Sequence, residues 1–451
     1  MEIIIIILWF LVFIKFLLFW LWLWQLKEYH LGRFFAHFET QKIRKIISSI
    51  WRLKFPKFTK KIAAIFFACV VAEIHLIFYF SLFGTIILTI FFMPLLVLSF
   101  QIPSAIWRGI LISKARVKRV KFKDLLVIGI TGSYGKTSTK EFLYTILSEK
   151  FGDNRVLKTK EHQNSEIGVS QCILNDLKPE HEIFIVEMGA YNRGGIKLLC
   201  DIANPKIGIL TGINEQHMAT FGSQENIIKG KYELVESLPP DGLAFFNAKN
   251  KYCVELYQKT LQRGLEKAYL YGKEAKFFGE ENLLGAIAVA KELGMTDEEI
   301  SKAVEKIENK LAGVQQKKGV SGLTIFDATY SANPNSVIGH LEYLKNFPGK
   351  KIIVMPCLIE LGSASKEVHK RIGQKIGEVC DLAIITTKDR FKEIKEGAAS
   401  AKASASQAGE KAIFLDNPKE IFNKIKEFTR EGDIVLLESR VPNDLVKLLT
   451  K

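Results

Sequence analysis

A glycine-rich segment of the sequence has the residue types that bind a nucleotide phosphate. It reads Val127-Ile-Gly-Ile-Thr-Gly-Ser-Tyr-Gly-Lys-Thr-Ser-Thr139. An apolar run followed by glycines and Lys136 predicts a buried strand, a tight loop and the first turn of a helix, whose backbone amides can hold phosphate oxygens. We expect the Lys136 ammonium to bind the β- and γ-phosphates of ATP and the Thr137 hydroxyl to bind Mg²⁺. The expected nucleotide contacts in this loop are Gly132, Ser133, Tyr134, Gly135, Lys136, Thr137 and Ser138.

The spacing of this loop separates it from the commonest phosphate-binding motif. Two residues lie between Gly132 and Gly135, whereas the usual GxxxxGK[ST] pattern has four between its glycines. A shortened loop of this kind, with the sequence TGSYGKTST, resembles that of the Mur ligase family. Members of that family are ATP-dependent ligases that join an amino acid or a peptide to a carboxylate.

The resemblance extends from residue 164 to residue 369 and favours the branch of the family that adds D-alanyl-D-alanine. Seven further motifs follow one another in the family's order. They are Asn164-Ser-Glu-Ile-Gly168, Glu187-Met-Gly-Ala190, Thr211-Gly-Ile-Asn-Glu-Gln-His217, Gly222-Ser-Gln-Glu-Asn-Ile-Ile-Lys-Gly-Lys-Tyr-Glu233, Asn282-Leu-Leu-Gly-Ala-Ile-Ala-Val-Ala290, Asp327-Ala-Thr-Tyr-Ser-Ala-Asn-Pro334, and Glu360-Leu-Gly362 with His369. A chance origin for this many matches in one order is implausible.

The resemblance implies a catalytic site with Mg²⁺, and two ions are expected. Glu187 stands where the family's glutamate binds Mg²⁺, and His217 stands where its histidine serves a second ion. Lys231 matches the lysine that is carbamylated in the family, which would make CO₂ a cofactor; a buried, neutral amine is needed for this, and a solvated helix lysine is the alternative. The catalytic candidates are Lys136, His217 and Lys231, and the metal-binding candidates are Thr137, Glu187, His217 and Lys231.

The same resemblance implies contacts for the rest of the nucleotide and for the substrates. Asn282 matches the asparagine that contacts adenine, and Asp327 is placed to accept the ribose hydroxyls. The substrate candidates are Asn164, Ser165 and Asn333.

The implied reaction has two steps. The carboxylate of a substrate attacks the γ-phosphate of ATP to give an acyl phosphate and ADP, and an amine such as D-Ala-D-Ala then displaces phosphate. In the family this reaction serves peptidoglycan precursor synthesis, and the acceptor here would be a small-molecule or lipid-linked muropeptide. Two alternatives stay open: a ligase for another acid and amino acid, and a non-catalytic, membrane-anchored nucleotide-binding scaffold or sensor.

The sequence departs from the family pattern at several places. An apolar N-terminal segment stands where the family has its UDP-sugar-binding domain, and the stretch 247–282 is shorter than expected. The arginine that follows the family's glycine is missing after Gly313, and Lys317 or Lys318 could supply its charge. The segment Leu437-Glu-Ser-Arg440 lacks the family's Lys-Gly pair. The resemblance therefore leaves open how the acceptor is held.

The N-terminal quarter of the chain has the composition of a membrane segment. Ile3–Trp24 is apolar apart from Lys15, and 62–100 is a second apolar run, about twice the length that one span needs. Both 25–61 and 101–123 are basic, so the positive-inside rule places them in the cytoplasm and predicts three spans, about 3–24, 62–80 and 84–100. We expect a multi-pass protein of the cytoplasmic membrane, with its catalytic domains in the cytoplasm and membrane lipids as partners. A cleaved signal peptide and a solvated basic linker are the alternatives.

The distribution of charge argues against a nucleic-acid-binding protein. The chain has 63 Lys and Arg residues and 48 Asp and Glu residues, for a net charge of +15. Residues 1–123 hold 18 of the basic residues but only four of the acidic ones, so the C-terminal body is near neutral. A nucleic-acid-binding protein would carry its basic patch within a folded domain. We therefore expect no nucleic-acid partner.

The elements that must position these residues follow from an alternation of β-rich runs and helical stretches after Asp124. This alternation predicts α/β domains with parallel, helix-covered sheets. We expect a membrane segment at 1–123, a P-loop ATPase domain at 124–310 and a Rossmann-like domain at 311–451. The predicted strands are Leu125–Thr131, Ile183–Glu187, Ile207–Leu210 and Leu243–Phe246, then Leu323–Phe326, Ile352–Met355, Leu382–Thr386, Ile413–Leu415 and Ile434–Leu437.

Overall fold

The chain divides into two units, Met1–Leu111 and Ile112–Lys451, in a computed structural model. The structure describes residues 2–26, 49–80, 83–89, 97, 100–265, 267–307, 314–329, 333–401 and 411–450. The boundary between the units falls inside a single helix, α3, and precedes the domain boundary that the sequence predicts at residues 123 and 124.

Helices make up most of the described part of the first unit. These are α1 (Glu2–Leu26), α2 (Lys60–Tyr79), the start of α3 (Gln101–Val120), a 3-10 turn at Ser49–Trp51 and helical residues 83–89. Two segments among the described residues, Ile3–Gln25 and Lys60–Tyr79, are long and apolar enough to cross a membrane, by length and composition only. In the third predicted span, 84–100, residues 90–96, 98 and 99 lie outside the described residues.

A buried carboxylate links the helices of the first unit. Glu73 of α2 accepts hydrogen bonds of 2.8 Å from Trp9 Nε1 of α1 and 2.7 Å from the Thr89 hydroxyl. These donors offset the free-energy penalty of removing a carboxylate from water. The ionisable residue inside the second apolar run is therefore held by its neighbours.

The first α/β sheet of the second unit is parallel in all its described pairings. Its strand order is β2-β3-β1-β4-β5-β6. The central strand, β1, is buried on both faces: Val127 packs in one core, and Ile128 and Ile130 pack in the other. The strands are β1 (Leu126–Thr131), β2 (Val156–Lys158), β3 (Ile183–Glu187), β4 (Ile207–Leu210), β5 (Leu243–Asn247) and β6 (Ala268–Tyr271).

Helices connect these strands and cover both faces of the sheet. The last of them begins with a capping box between Thr296 and Glu299. The helices are α4 (Lys136–Phe151), α5 (Glu166–Asn175), α6 (Gly195–Ala203), α7 (Met218–Phe221), α8 (Gln224–Glu236), α9 (Lys251–Gln262), α10 (Glu280–Glu292) and α11 (Asp297–Glu305).

The second sheet of the second unit is mixed. Its order is β11-β10-β9-β12-β8-β7, and β7 pairs antiparallel with β8, whereas the other described pairings are parallel. The sequence of β7 is polar, and the strand exists because it pairs with β8 at the sheet edge. The strands are β7 (Gln315–Lys318), β8 (Thr324–Ala328), β9 (Lys351–Met355), β10 (Leu382–Ile385), β11 (Ala412–Phe414) and β12 (Ile434–Glu438).

Helices also pack on the second sheet, and short 3-10 turns occur at Val320–Gly322 and Gly362–Ala364. The helices are α12 (Pro334–Leu344), α13 (Ser365–Val379), α14 (Phe391–Ser400), α15 (Pro418–Phe428) and α16 (Asn443–Leu449). The α/β class expected from the sequence is thus confirmed, with one parallel and one mixed sheet.

The C-terminal half of α3 packs on the first α/β core. Lys118 Nζ donates hydrogen bonds to Leu174 O in the last turn of α5 and to Leu177 O just beyond it, and Arg119 donates to Ala203 O at the end of α6. Cations bind helix C-termini because unpaired carbonyls and the helix dipole are negative there. Two of the basic residues that the sequence assigns to a membrane-proximal loop therefore bind backbone carbonyls of the α/β body.

Candidate active site

The glycine loop between β1 and α4 is pressed against the segment that follows β4. The Ser133 amide donates a 2.7 Å hydrogen bond to Gly212 O. Gly135 has a φ of 80°, and a Cβ at this position would clash with Asn282 Oδ1. Because β1 and β4 are neighbours, the loop lies in the crevice at the carboxyl ends of the strands, where open α/β sheets bind ligands.

Lys136 is folded back over this loop. Its Nζ donates a 2.8 Å hydrogen bond to Gly132 O. Burial lowers the pKa of Lys136, and the negative charge of Glu187 opposes that shift. Ser138 follows in the first turn of α4, whereas the Tyr134 hydroxyl is engaged by Asn250 Nδ2 at 3.2 Å. The ammonium thus lies at the loop that the sequence predicts to hold phosphate.

Glu187, at the end of β3, is fixed by donors on both carboxylate oxygens. Oε2 accepts a 3.0 Å hydrogen bond from the Thr137 hydroxyl, and Oε1 accepts one of 3.0 Å from Asn164 Nδ2. Burial raises the pKa of Glu187, but the charges of Lys136 and Lys140 together with these two hydrogen bonds hold it below the usual value. The carboxylate is therefore charged and oriented toward the first turn of α4.

Lys140 is a site residue that sequence reasoning missed. Its fully buried Nζ lies 3.2 Å from Glu187 Oε2 and 3.4 Å from a carboxylate oxygen of Glu141. The signal was available, because Lys140 stands one helical turn after Lys136 and so shares its face of α4. Two lysines, one from each turn, thus act on the same carboxylate.

His217 bonds across to the second α/β domain. Its Nδ1 lies 2.7 Å from Glu360 Oε2, and the Tyr191 ring packs edge-on against the imidazole at 4.9 Å. Burial lowers the pKa of His217; the Glu360 carboxylate opposes this shift, and the charges of Lys231 and Lys136 add to it. Since the carboxylate accepts from Nδ1–H, the Nε2 lone pair is left to act as a ligand.

Lys231, on α8, is buried rather than solvated. The residue is 1% exposed, and Nζ lies 3.5 Å from Ala190 O and 5.6 Å from the centre of the Phe221 ring. Burial, with a contribution from the charge of Lys136, lowers the pKa of Lys231 to about 7. A substantial fraction of the amine is therefore neutral near neutral pH, which excludes the solvated-lysine alternative.

The donor set fits Mg²⁺. Among the described residues no three His, Cys, Asp or Glu side chains gather in one group. Mg²⁺ does not need such a group, because it is usually held by one or two carboxylates together with water and substrate phosphates. The Thr137 hydroxyl and the Glu187 carboxylate, 3.0 Å apart, are hard oxygen donors beside the glycine loop.

Asp327, at the end of β8, is already engaged within its own domain. Its Oδ2 lies 2.6 Å from Lys317 Nζ, and its Oδ1 accepts a 2.7 Å hydrogen bond from the Thr329 hydroxyl. Burial raises its pKa, but Lys317 and Thr329 hold the pKa below the usual value. Of the two lysines that the sequence offers in place of the missing arginine, Lys317 contacts the site; Gly313 lies outside the described residues.

Asn333 lies at the contact between the two α/β domains. Its Oδ1 caps α12 by accepting from Ser336 N at 3.0 Å, and it also accepts from Asn214 Nδ2 at 3.3 Å. Asn214 Nδ2 donates in addition to Asn335 Oδ1 at 2.9 Å. Sequence reasoning did not single out Asn214, although it lies within the motif that ends at His217.

A further interdomain contact, which sequence reasoning also missed, joins Arg371 of α13 to Glu215. The guanidinium donates to both carboxylate oxygens, at 3.1 and 3.3 Å. No local pattern marks Arg371, because its partner is 156 residues away in the sequence.

The remaining predicted residues, Asn282, Ser165 and His369, have partners in their own domains. Asn282 is buried and accepts a 3.3 Å hydrogen bond from the Thr139 hydroxyl. Ser165 caps α5 by accepting from Gly168 N. His369 is a structural residue of the second domain, since its Nε2 accepts from Leu358 N at 2.9 Å. The structure therefore brings the nucleotide-loop and metal candidates together and places Ser165 in a capping role.

Comparison with known families and proteins decides the affiliation of the chain. Residues 130–317 match the Mur ligase middle domain, and residues 314–440 match the Mur ligase, glutamate ligase domain. A UDP-N-acetylmuramoyl-tripeptide--D-alanyl-D-alanine ligase of Bacillus subtilis is 30% identical over 345 residues, which cover 69% of this chain and 72% of that protein. The chain belongs to the Mur ligase family. The resemblance carried by the motifs is confirmed.

Solved structures of Mur ligases share this fold. MurF from Thermotoga maritima, in complex with ADP, is 28% identical, with a TM-score of 0.62, over 76% of this chain and 83% of that chain. MurF from Acinetobacter baumannii has a TM-score of 0.63 at 23% identity, over 75% of this chain and 80% of that chain.

The likeness to Mur ligases does not extend over the whole length of every relative. A UDP-N-acetylmuramoyl-tripeptide--D-alanyl-D-alanine ligase of Synechocystis is 34% identical over 272 residues. The matched residues cover 55% of this chain and 59% of that protein. The chain thus spans less than two thirds of the length of this relative. The Mur ligase domains begin at residue 130, so the Met1–Leu111 unit lies outside them.

Proposed function

We propose that this Mur ligase is an ATP-dependent amide-bond ligase of peptidoglycan precursor synthesis. The observation that carries the proposal is the grouping of Thr137, Glu187, His217 and a buried Lys231 beside the glycine loop. A nucleotide-binding scaffold has no need of a lysine whose pKa is lowered to about 7. The names of the Synechocystis and Bacillus subtilis relatives, both UDP-N-acetylmuramoyl-tripeptide--D-alanyl-D-alanine ligases, support the reaction class.

ATP binding is supported by the ADP complex of the Thermotoga maritima relative. The backbone of Gly132–Gly135 and the amides of the first turn of α4 would hold the phosphates, with Lys136 neutralising their charge. Asn282, packed against Gly135, would contact adenine. The Asp327 carboxylate would accept hydrogen bonds from the ribose hydroxyls. The ion pair with Lys317 keeps this carboxylate in its charged form.

Four residues would hold two Mg²⁺ ions. Thr137 and Glu187 provide one pair of donors, and His217 with carbamylated Lys231 provides the other. When bound, the ions would neutralise charge on the transferring phosphoryl group. Neither donor pair is sufficient alone, so the nucleotide phosphates are expected to complete the coordination.

Carbamylation of Lys231 would follow from its burial. A neutral amine attacks CO₂ through its lone pair and loses a proton, and this converts a cationic side chain into an anionic one. With its pKa lowered to about 7, Lys231 has the neutral amine that this addition requires. The product would be an anionic ligand close to His217, because the charge of Lys231 already affects the pKa of His217.

The proposed chemistry activates a carboxylate that is otherwise a poor electrophile. A substrate carboxylate oxygen attacks the γ-phosphorus of ATP, ADP leaves, and an acyl phosphate forms. A neutral amine, such as that of D-Ala-D-Ala, then attacks the acyl carbon; phosphate leaves, and the amide nitrogen releases a proton. The protein residues contribute positioning and charge neutralisation, chiefly through Lys136 and the loop amides.

Substrate contacts are proposed at the edge of this site. Asn164, whose Nδ2 holds Glu187, and Asn333, at the interdomain contact, lie where the reacting groups would meet. Ser165 would contribute only through an interaction additional to its capping bond.

We infer that the first unit anchors the ligase to the cytoplasmic membrane, with the ligase domains in the cytoplasm. Ile102, Ile106 and Ile110 recur at helical spacing along the start of α3 and are exposed, as is Trp107. The stretch 101–123 carries seven Lys and Arg residues and no acidic residue. Such a helix suits the interface of an anionic leaflet. Because of this anchoring, we consider a lipid-linked muropeptide as a candidate acceptor in addition to the soluble UDP-linked muropeptide.

The proposal is tested by measuring phosphate release from ATP by the full-length protein in detergent. UDP-MurNAc-tripeptide and D-Ala-D-Ala are supplied, with and without bicarbonate, and the lipid-linked muropeptide replaces the UDP-linked one in a second arm. We expect release that needs both the acceptor and the amine. Binding of ATP without release in either arm would contradict the ligase function and favour a nucleotide sensor.

A matched pair of lysine variants makes this test specific. Lys231→Ala is expected to abolish release, because the carbamate cannot form. Lys229→Ala removes an exposed lysine of the same helix, which pairs only with Glu225 in the described contacts, and should leave release unchanged. Equal losses in the two variants would indicate damage to α8 rather than loss of a ligand.

A further inference from the structure

A carboxylate from the second α/β domain contacts the imidazole of His217. Glu360 follows β9, and its Oε2 lies 2.7 Å from His217 Nδ1 across 143 residues of sequence. The side chain of Glu360 is 9% exposed and that of His217 is 20% exposed, so the bond is largely shielded from water. Shielding strengthens such a charge-assisted bond relative to one at the surface.

The backbone holds this contact in register. Glu360 O accepts a 3.1 Å hydrogen bond from the Ala219 amide, two residues beyond His217. The backbone of both residues is in the left-handed region, with φ of 66° at Glu360 and 68° at His217. Non-glycine residues adopt this conformation only where surrounding contacts hold them there. The two segments are joined by one backbone hydrogen bond and one side-chain hydrogen bond.

The chemistry of a metal-binding histidine gives this contact a purpose. A carboxylate that accepts from one ring nitrogen fixes the tautomer and the ring orientation, so that the other nitrogen presents its lone pair. Within the first α/β domain, the Tyr191 ring packs nearly perpendicular to the imidazole, with 4.9 Å between the ring centres. The orienting carboxylate thus comes from the other domain.

We propose that Glu360 is the positioning residue of the His217 metal site, so that docking of the second α/β domain completes the site. The inference rests on the proposed function in one respect, that His217 binds a divalent cation. It adds that His217 is a competent ligand only while the two domains are in contact. Binding of the cation and closure of the domains would then favour one another, as thermodynamic linkage requires.

Other contacts between the domains provide a matched control. Arg371 and Glu215 form an ion pair at 3.1 Å across the same interface, and neither has a described bond to His217. Loss of that pair weakens docking without removing the acceptor for Nδ1. It therefore separates general weakening of the interface from loss of histidine orientation.

The test counts Mn²⁺ bound to the full-length, ADP-saturated protein by electron paramagnetic resonance. Glu360→Ala is expected to weaken one class of Mn²⁺ site by about 10- to 100-fold, the usual effect of removing the partner of a metal-binding histidine. His217→Ala should weaken the same class. The double variant should be no weaker than His217→Ala, because both changes act through one imidazole.

The conservative variant and the control define the outcomes. Glu360→Gln keeps an acceptor oxygen and should retain more affinity than Glu360→Ala, which also guards against a folding defect in the alanine variant. Arg371→Ala should weaken Mn²⁺ binding less than Glu360→Ala does, because it weakens docking of the domains but leaves the acceptor for His217 Nδ1 in place. Unchanged affinity in Glu360→Ala, additive losses in the double variant, or an equal loss in Arg371→Ala would each overturn the inference.

Failure of the proposed function is distinguishable from failure of this inference. Mn²⁺ binding that depends on Glu360, in a protein that releases no phosphate with either acceptor, would retain the positioning role and reject the ligase. Phosphate release by a wild-type protein whose Mn²⁺ binding is indifferent to Glu360 would do the reverse.

Discussion

Thr137 Oγ1 donates a 3.0 Å hydrogen bond to Glu187 Oε2, which joins the first turn of α4 to the carboxyl end of β3. The two residues are 50 positions apart, but they meet because β1 and β3 are adjacent parallel strands. With Asn164 on the other oxygen, the carboxylate is held in one orientation before any ligand arrives. Such prior orientation is what a site for phosphoryl transfer requires.

Replacement of Lys140 should shift the pH dependence of activity. The charge of Lys140 helps to hold the pKa of Glu187 below its usual value against the opposing effect of burial. In Lys140→Met that pKa should rise, so the carboxylate becomes protonated at higher pH and the acidic limb of the rate profile moves upward in pH. Lys158→Met is the control, because Lys158 pairs with Glu141 instead. An acidic limb that stays in place in both variants would contradict this role.

The carbamate on Lys231 should be directly observable. We expect ¹³C-labelled CO₂ to give a carbamate resonance in the NMR spectrum at pH 8 and to lose it as the pH falls through about 7, where the amine becomes protonated. Lys229→Ala should keep the resonance and Lys231→Ala should lose it. Persistence of the signal in Lys231→Ala would assign it to another amine.

The sequence predicted those elements whose structure is determined by residues close together in the chain. The apolar run before Gly132 predicted β1, and the structure confirms this strand. In contrast, β7 has the sequence Gln-Gln-Lys-Lys, without apolar alternation, and depends on β8 for its existence. Its pairing is also what brings Lys317 to Asp327.

Contacts between distant segments escaped prediction for a related reason. The motifs indicated His217 and Glu360 separately, but nothing in either motif states that the two side chains meet across 143 residues. The sequence predicted Lys118 and Arg119 to be membrane-proximal charges. Their partners are backbone carbonyls, which every residue has, so the sequence could not predict these contacts. The proposed metal and substrate roles stay predictions until they are measured.

Gly135 should be intolerant of a side chain. Gly135→Ala places a Cβ against Asn282 Oδ1 in a backbone with φ of 80°, so the loop must move, and we expect ATP affinity to fall by at least about tenfold. Gly152→Ala is the control, since Gly152 has a similar φ of 89° but open space around it. Both affinities can be measured by calorimetry. Similar losses in the two variants would reject a role for the close packing at Gly135.

The buried pair of His340 and Glu438 should matter for stability. Their side chains are 2% and 0% exposed, with Nδ1 and Oε2 2.7 Å apart. Burial raises the pKa of Glu438, and His340 opposes that shift. His340→Ala leaves the carboxylate without this partner and should destabilise the second α/β domain by about 3–5 kcal/mol. Thermal unfolding tests this, with Lys206→Ala, which breaks an exposed ion pair, as a control expected to change little.

The most direct test of the proposed ligase follows the oxygen of the substrate carboxylate. UDP-MurNAc-tripeptide, or the lipid-linked muropeptide if only that is used, is labelled with ¹⁸O in its terminal carboxylate and incubated with ATP and D-Ala-D-Ala. Attack of that carboxylate on the γ-phosphorus predicts one ¹⁸O atom in each phosphate released. Phosphate that is released with ligation but without ¹⁸O would contradict the acyl phosphate, and the absence of ligation with both acceptors would contradict the ligase itself.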